Sequence, residues 1–269
     1  MNRNDTDTSD DLFLSAEWYD RAINWSARLE RELPVLIDLF GSPGTGGIVD
    51  AGCGTGRQAC ALAQHGYRVV GADASEEMLE VARRHARKAD VAVDFVHTTY
   101  ATMQDRIGGG FDGIFCLGNA LSAAGTAGGV AEAIEQFARC LRPGGRLFVQ
   151  ILNFAPMRSE QPCVRGPRVS CVDGREYVSV REFHFGLDTV RITNITLFND
   201  SGWKKRVHGG SLYPISVDEL PAWCQASGIR IDHTWGSYAR DPFDIDASTD
   251  LIVAGTRVHA KQVCEEPLA

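Results

Sequence analysis

The stretch IVDAGCGTGRQ occupies residues 48–58 and decides the fold. Its apolar start predicts a buried strand, and a helical pattern follows the glycines at once. Gly52, Gly54 and Gly56 alternate with other residues, so the turn between strand and helix has little side-chain bulk. A ligand can therefore lie directly on the backbone, beside the N–H groups that open the helix.

The spacing of these glycines separates the turn from the common dinucleotide motif. Dinucleotide-binding turns read G-x-G-x-x-G, whereas this turn reads G-x-G-x-G and is preceded by Asp50. Asp50 suits the amino group of a bound amino acid and does not suit a pyrophosphate. Asp73 ends the second predicted strand, where an acid usually accepts hydrogen bonds from ribose hydroxyls; the alternative is a helix-capping or solvated aspartate.

Strands and helices alternate around this turn. Residues 1–14 are predicted to be disordered, and a helical pattern runs from Ser15 to Phe40 with a kink or break at Pro34. Ser75 is a good N-cap for a later helix. The other predicted elements are strands at 48–50, 68–73, 91–96, 111–117 and 146–153, and helices at 58–65 and 130–141. This alternation implies parallel pairing through right-handed crossovers.

After Phe154 the pattern becomes one of consecutive strands. Strands are predicted at 169–172, 177–185, 190–198 and 205–213, with hairpin turns at Asp173-Gly174 and Ser201-Gly202. No helix intervenes, so these strands predict an antiparallel lobe. A helix at 217–226, opened by the capping-box pair Ser216 and Glu219, and strands at 229–235 and 251–256 return to the main sheet.

The predicted fold class is α/β. We expect a Rossmann-like, seven-stranded, mostly parallel sheet with a reversed last strand, plus a small inserted antiparallel β lobe. The domains predicted are an N-terminal helical cover at 1–40, the sheet domain at 41–157 and 215–259, and the lobe at 158–214.

Net charge, hydropathy and cysteine spacing indicate which kinds of partner the protein is expected to lack. The chain has a net charge of −8, so we expect no nucleic-acid partner, because nucleic-acid-binding domains usually carry a basic face. No signal peptide or apolar span is recognisable, so we expect a soluble, cytoplasmic protein with no membrane partner. The eight cysteines form no C-x-x-C pair, which favours reduced, structural thiols and no metal site.

Four segments together resemble a known family. IVDAGCGTG (48–56), GADASEEML (71–79), FDGIFCLGNALS (111–122) and LRPGGRLFVQILNF (141–154) are similar to motifs of class I S-adenosylmethionine-dependent methyltransferases. The nearest branch is that of the glycine and sarcosine N-methyltransferases, and the resemblance continues through SLYP (211–214) and GSYARDPF (236–243). It implies S-adenosylmethionine as cofactor, released as S-adenosylhomocysteine, and a small-molecule acceptor.

The resemblance also implies a cofactor site. In the family's scheme the glycine turn surrounds the methionine part, Asp73 binds the ribose, and Arg28 binds the cofactor carboxylate. Residues after the second and third strands border the adenine, and those after the fourth line the floor under the sulfonium. The implied cofactor-binding residues are Trp25, Arg28, Ala51, Gly52, Cys53, Gly54, Asp73, Ala74, Met78, Thr99, Tyr100, Leu117 and Gly118.

The acceptor is expected between the N-terminal helices, Asn119 and the lobe. Arg181 and His184 lie on opposite faces of one predicted strand, so only one of them can point inwards. The candidate catalytic residues are Tyr19, Asn119, Arg181, His184 and Tyr213. His208 and Tyr238 are two further residues that could face the acceptor. Methyl transfer from a sulfonium is an in-line displacement that needs alignment and no metal.

One departure from the family concerns the acceptor. Glycine-methylating relatives carry an arginine two residues before the aromatic of an RNY segment, where it binds the substrate carboxylate. This chain reads Leu152-Asn153-Phe154, with leucine at that position. A buried carboxylate without a cation is costly, so we expect that glycine itself is not the acceptor.

The function predicted is therefore methylation of a small molecule, with an amine nitrogen as acceptor. The alternative within the class is a small-molecule O-methyltransferase, which needs a base near the acceptor hydroxyl. From other classes, a nicotinamide-dependent oxidoreductase and a non-catalytic cofactor-binding module stay open, as does a homo-oligomeric state.

Overall fold

The computed structural model describes residues 16–158, 163–172, 174–199 and 201–258. The strands are β1 Ile48–Ala51, β2 Val69–Asp73, β3 Val93–His97, β4 Phe111–Cys116, β5 Leu141–Leu152, β6 Cys163–Val172, β7 Arg175–Phe185, β8 Val190–Asn199, β9 Trp203–Leu212, β10 Ile229–Trp235 and β11 Asp250–Arg257. The helices are α1 Ala16–Ala22, α2 Trp25–Phe40, α3 Arg57–Gln64, α4 Glu76–Ala89, α5 Met103–Ile107, α6 Ala127–Cys140, α7 Ala155–Arg158 and α8 Glu219–Ala226.

The main sheet has seven strands in the order β10-β11-β5-β4-β1-β2-β3. β1 pairs in parallel with both β2 and β4, and β11 is antiparallel to both β5 and β10. The predicted fold, with its reversed last strand, is confirmed. The chain leaves β1 for β2 on one side and later returns to β4 on the other, which opens a crevice at the carboxyl ends of β1 and β4.

Helices cover both faces of this sheet. On one face α6 and α8 bury Phe137 and Leu220 against β1, β4 and β5; on the other, α2 and α3 bury Leu36 and Leu62 beside Phe115. A parallel sheet is buried on both faces, which explains why all residues of β1 except Asp50 are apolar.

Helix starts follow the predicted caps. Ser75 accepts a hydrogen bond from the backbone N–H of Met78 at the start of α4. Ahead of α8, the Ser216 N–H donates to Glu219 and the Glu219 N–H donates to Ser216, the reciprocal pattern of a capping box.

The N-terminal segment forms two helices, one of the two predicted arrangements, but the break lies before Trp25 and not at Pro34. α1 ends at Ala22 and α2 begins at Trp25, because the side chain of Asn24 accepts the N–H of Ala27 and caps a new helix there. Pro34 lies inside α2, where it removes one helical hydrogen bond. The neighbouring Leu36 packs fully buried against the sheet.

Two strands, β5 and β6, begin at least five residues earlier than predicted. β5 starts at Leu141, so Pro143-Gly144-Gly145 forms an irregularity within the strand, where pairing with β4 jumps from Leu141 to Arg146. β6 starts at Cys163, and Gly166-Pro167 lies in a bulge between Arg165 and Arg168. The sequence pattern did not predict the first part of either strand, because glycine and proline normally end a strand.

The second sheet is the lobe, with strand order β6-β7-β8-β9 and antiparallel pairing throughout. At one end Phe154 and Met157 of the main domain pack on Phe183 and Val190 of the lobe. At the other end Trp18 of α1 packs against the lobe, so one face of this sheet is turned towards the main domain.

Three further predictions concern the N-terminal residues, the cysteines and membrane-spanning helices. The predicted disorder at 1–14 and the hairpin residue Asp173 lie outside the described residues. The cysteines in the described ranges are all free, and all except Cys171 are buried, while Cys264 lies outside those ranges. No helix of the described part has the length and apolar character needed to cross a bilayer.

Candidate active site

The turn from Gly52 to Gly56 joins β1 to α3. Gly52 has a φ of +76°, and a Cβ at this position would lie 2.6 Å from the Cβ of Ala120 and 2.7 Å from the hydroxyl of Tyr100. Only glycine fits both restrictions. The N–H groups of Gly52 and Cys53 donate to the carbonyl of Ala72 at 2.7 and 3.1 Å, so β2 fixes the turn.

Asp73, at the end of β2, holds the same turn through its side chain. Its Oδ2 accepts the N–H of Gly54 at 2.7 Å and its Oδ1 accepts the N–H of Ser75 at 2.9 Å. Burial raises the pKa of Asp73, and these backbone hydrogen bonds oppose the shift. Each carboxylate oxygen has a second lone pair, so Asp73 can still accept hydrogen bonds from two ligand hydroxyls.

Asp50 lies buried beneath the turn. Its Oδ2 has no hydrogen-bond partner among the described residues. Burial, and then the nearby charge of Asp73, raise the pKa of Asp50 well above its usual range, while Arg28 opposes the shift. An orphaned buried carboxylate oxygen is costly, and a cationic group of a ligand would relieve that cost.

α1 and the first turn of α2 cover the glycine turn. The ring of Tyr19 lies over Gly54, 3.9 Å from the position a Cβ would take. The Nε of Arg28 donates to Glu32 at 2.7 Å, and its guanidinium lies 2.7 Å from where a Cβ on Gly118 would be. A larger residue at 118 would therefore displace Arg28. The ring of Trp25 lies 5.2 Å from the Arg28 guanidinium.

Asp20 fastens this cover to the turn, and no sequence motif pointed to it. It accepts hydrogen bonds from Thr55 Oγ1 at 2.9 Å and Arg57 Nε at 2.8 Å, and it pairs with His85 Nε2 at 3.2 Å. Burial alone would raise the pKa of Asp20, but the hydrogen bonds from Arg57 and His85 outweigh it and hold the pKa well below its usual range. Helical periodicity identifies buried apolar faces and cannot identify such a polar contact.

The floor of the crevice follows β4. The N–H of Gly118 donates to Gln150 Oε1 at 2.7 Å, and Gln150 Nε2 donates to Asp250 at 2.6 Å. Asn119 has a φ of +68°, and its Oδ1 accepts the N–H of Leu152 at 2.6 Å. This segment is thus held rigidly, with the backbone of Gly118 exposed to the crevice.

Comparison with known proteins agrees with this geometry. Residues 48–145 match the family model described as a methyltransferase domain. A glycine/sarcosine N-methyltransferase of Parasynechococcus marenigrum is 27% identical over 83% of this chain and 77% of its own length. A ubiquinone biosynthesis O-methyltransferase of Pseudomonas paraeruginosa is 36% identical over 53% of this chain and 61% of its own length.

The chain is a methyltransferase that resembles the class I S-adenosylmethionine-dependent enzymes.

Solved structures share its fold. The sugar N-methyltransferase KedS8 of Streptoalloteichus superposes with a TM-score of 0.74 at 21% identity, covering 96% of this chain and 99% of that one. The amino pentose methyltransferase CalS10 of Micromonospora echinaspora, solved with S-adenosylmethionine bound, gives 0.72 at 20% identity, covering 96% of this chain and all of that one.

The residues expected beside the adenine divide into two groups. Ala74 and Thr99 are exposed at the ends of β2 and β3, and Met78 is half-buried on α4. Tyr100 instead packs edge-on against Phe137 in the core of the methyltransferase, with its hydroxyl beneath Gly52. Burial raises the pKa of Tyr100 well above its usual range. Tyr100 therefore supports the glycine turn from below.

Arg181 and His184 lie on opposite faces of β7, as the alternation of the strand requires. Arg181 lies on the face turned towards the main domain, where its Nε donates to Asn194 at 2.7 Å. His184 lies exposed on the other face, 3.1 Å from Glu182. The structure therefore does not bring His184 to the crevice of this methyltransferase.

Tyr213 joins the end of the lobe to α8. Its hydroxyl donates to Glu219 at 2.5 Å, and its N–H donates to the carbonyl of Ser122 at 2.9 Å. The hydrogen bond with Glu219, followed by burial, raises the pKa of Tyr213 to about 12. The ring packs beside Trp223. These contacts make Tyr213 an anchor between two parts of the methyltransferase.

Tyr238 is part of the main core. It is buried beside Phe148, and the guanidinium of Arg31 lies 4.9 Å from its ring. This places Tyr238 on the face of the sheet covered by α2.

Proposed function

We propose that this methyltransferase transfers the methyl group of S-adenosylmethionine to a nitrogen atom of a small molecule. The observation that carries the choice of nitrogen is the surroundings of His208, the histidine on the lobe face turned to the main domain. It lies opposite the neutral Asn194 and near the cations Arg181 and Arg206, and its surroundings on this face include no carboxylate from the described residues that would make it a base. Burial, together with the charges of Arg181 and Arg206, lowers the pKa of His208 to about 4. The named activities of the N-methyltransferase relatives support the same choice.

The residues around the crevice fit the cofactor. Asp73 would accept hydrogen bonds from the ribose hydroxyls, and Ala74, Met78 and Thr99 would border the adenine. Asp50 would pair with the ammonium group of the methionine part, since its buried Oδ2 lacks a protein partner. Arg28 would bind the carboxylate.

Two further sets of residues would enclose the cofactor. The turn residues Ala51, Gly52, Cys53 and Gly54 would contact the methionine part, and Leu117 and Gly118 would line the floor. Tyr19 and Trp25, held by the contacts of Asp20, would cover it. Tyr100 would act indirectly, by supporting Gly52.

S-adenosylmethionine supplies an electrophilic methyl group on a positively charged sulfur. The protein then has to align the acceptor and exclude water, and alignment contributes as much as ~7–11 kcal/mol in such reactions. Tyr19 over Gly54 and the rigid Gly118–Asn119 segment would do both. Asn119 uses its Oδ1 to hold β5, so it would position the floor.

The protonation chemistry distinguishes nitrogen from oxygen. A neutral amine attacks through its own lone pair, whereas a hydroxyl needs a base with a pKa near 7. His208, with a pKa of about 4, is too weak a base for that task.

Oxygen methylation is the second candidate, because a ubiquinone biosynthesis O-methyltransferase matches part of the chain at 36% identity. The test is to incubate the purified protein and S-adenosylmethionine with a pool of small metabolites and to search by mass spectrometry for a gain of one methylene mass. Pairs of acceptors that differ only in carrying an amine or a hydroxyl group are then assayed in the same way. Methylation of the amines supports the proposal, and turnover of the alcohols alone contradicts it.

Glycine serves as an internal control in the same assay. Because Leu152 stands where glycine-methylating relatives have an arginine, we propose that glycine is not turned over. Efficient glycine methylation would contradict this part of the proposal.

A further inference from the structure

The lobe sheet has two chemically different faces. Pairing places Arg181 opposite Arg165, Asn194 opposite Arg181, and His208 opposite Asn194. Because side chains alternate along a strand, residues directly opposite each other share a face. We call the face that includes Phe183, Arg181 and His208 the inner lobe face. Within the described ranges its charged residues are basic only, namely Arg165, Arg168, Arg175, Arg181, Lys204 and Arg206.

The centre of the inner lobe face is a group of unbalanced charges. Arg181 donates to the neutral side chain of Asn194, and both ring nitrogens of His208 are buried with no hydrogen-bond partner among the described residues. Burial and the charge of Arg168 lower the pKa of Arg181. Arg206 lies 5.5 Å from the ring of Trp18. Three guanidinium groups therefore share a region in which the described residues provide no carboxylate.

This group faces the same space as the cofactor crevice. Trp18 and Tyr19 are consecutive residues of α1, and Trp18 packs on Tyr177 of the lobe while Tyr19 lies over Gly54. Tyr19 is close enough to Arg181 to affect its pKa. The basic centre thus lies beside the helix that covers the reacting end of the crevice.

We infer that the methyl acceptor carries an oxyanion, a phosphate or a carboxylate, that binds Arg181 and the neighbouring Arg168 and Arg206. The inference rests on the proposed methyl transfer to a small molecule. A guanidinium has a planar set of donors that matches either oxyanion, and hydrogen bonds between two ionised groups are stronger than those between neutral groups. The neutral ring of His208 can add a hydrogen bond from one nitrogen.

The position of these cations also sets the size of the acceptor. Glycine-binding relatives would place a cation at position 152, next to Asn153, whereas this chain has leucine there and places its cations on the inner lobe face. The oxyanion and the nucleophile must therefore belong to separate parts of a molecule larger than glycine.

Calorimetric titration of the full chain saturated with S-adenosylhomocysteine tests the inference. Inorganic pyrophosphate is the probe in one arm and succinate in the other, and binding of either supports the oxyanion site and identifies its chemistry. In Arg181→Met the affinity for the bound probe should fall at least about tenfold, and Arg181→Lys, which keeps the charge, should lose less.

Arg191→Met is the matched control, because Arg191 lies on the opposite face of the lobe, paired with His184. It should bind the probe as the unmodified protein does. The inference is overturned if neither probe binds, if Arg181→Met binds as well as the unmodified protein, or if Arg191→Met loses as much. Melting curves and S-adenosylhomocysteine titrations of each variant confirm folding.

A second readout separates binding from a structural role. A bound oxyanion should raise the pKa of His208 from about 4 by roughly one unit, which NMR titration of its ring protons can follow. An unchanged His208 pKa with probe bound would place the anion elsewhere and overturn the inference. If S-adenosylhomocysteine binds but no anion does, only this inference fails; if S-adenosylhomocysteine does not bind, the proposed function fails.

Discussion

The cofactor crevice and the inner lobe face differ in whether the protein itself supplies partners for their charged side chains. In the crevice Asp73 accepts two backbone N–H groups, and Asp20 is paired with Arg57 and His85. On the inner lobe face Arg181 meets only an amide, and His208 has no hydrogen-bond partner in the described part of the chain. Asp50 apart, the crevice acids named here have partners supplied by the protein, whereas Arg181 and its neighbours on the inner lobe face would be balanced by a ligand.

This difference predicts how substitutions will act. Changes in the crevice should weaken cofactor binding and disturb the structure that its charges support. Changes on the inner lobe face should alter the acceptor's KM and leave cofactor binding unchanged.

The largest effect is expected for Asp73→Asn. The change removes the charge from hydrogen bonds to Gly54 and Ser75 and to the ribose, and charged hydrogen bonds contribute about 1.5–3 kcal/mol each, so affinity for S-adenosylhomocysteine should fall roughly 100-fold. Calorimetry measures the loss. Asp94→Asn, an exposed position on β3, is the control and should bind normally. Equal affinity in Asp73→Asn would show that the ribose lies elsewhere.

A smaller effect is expected for Asp20→Asn, which loosens α1 from the glycine turn. Affinity for S-adenosylhomocysteine should fall about tenfold, because the ionic hydrogen bonds to Arg57 and His85 are lost. The matched control is Asp38→Asn, which removes a surface pair with Arg240 and should change little.

Asp20 also predicts a pH dependence of stability. Because its pKa is depressed in the folded protein, its contribution is complete above the unfolded value near 3.9 and is lost as the pH falls from there towards the folded pKa. Melting temperatures of Asp20→Asn should therefore fall less steeply below about pH 4 than those of the unmodified protein. If the melting temperatures of the two proteins fell equally steeply below pH 4, Asp20 would not be the source of this pH dependence.

Tyr213→Phe should affect stability alone. Loss of the hydrogen bond to Glu219 costs about 1 kcal/mol, while the KM of the acceptor should stay unchanged. With the pKa of Tyr213 at about 12, no ionisation of this group enters the activity profile near neutral pH. Tyr67→Phe, which loses a hydrogen bond to Gly41 far from the lobe, gives a matched loss of stability. A rise in acceptor KM specific to Tyr213→Phe would make it a binding residue.

The smallest effect is expected for His184→Asn. His184 is exposed on the face of the lobe away from the crevice, so turnover should stay within about twofold. His208→Asn, on the inner lobe face, should raise the acceptor's KM about tenfold through the lost contact. Steady-state kinetics compares the two, and a reversed ranking would contradict the assignment of the two faces.

The same contrast explains what could be predicted from sequence. The glycine turn, Asp73 and the alternation of strands and helices follow from local patterns, because a strand, a turn and a helix leave periodic and compositional signals. The role of Asp20 depends on contacts with residues far along the chain, and such contacts leave no local pattern. The break at Asn24 is a local N-cap over three residues, which Pro34 obscured as the more conspicuous helix breaker. Pro34 suggested a break because proline disfavours helix interiors, yet burial of Leu36 and the cap at Asn24 outweighed it.

The strands of the lobe could be predicted from the sequence, but which of its residues face the main domain could be predicted only in part. Alternation separated Arg181 from His184, but which face turns inwards depends on the packing of Trp18, Phe154 and Phe183. His208 becomes important only when β8 and β9 pair and place it opposite Asn194.

A crystal structure of the protein with S-adenosylhomocysteine tests the central claim most directly. We predict the ribose hydroxyls within hydrogen-bonding distance of Asp73 and the amino group beside Asp50, with Tyr19 covering the ligand. Electron density for the ligand outside the crevice between β1 and β4, or a ribose that makes no contact with Asp73, would contradict it.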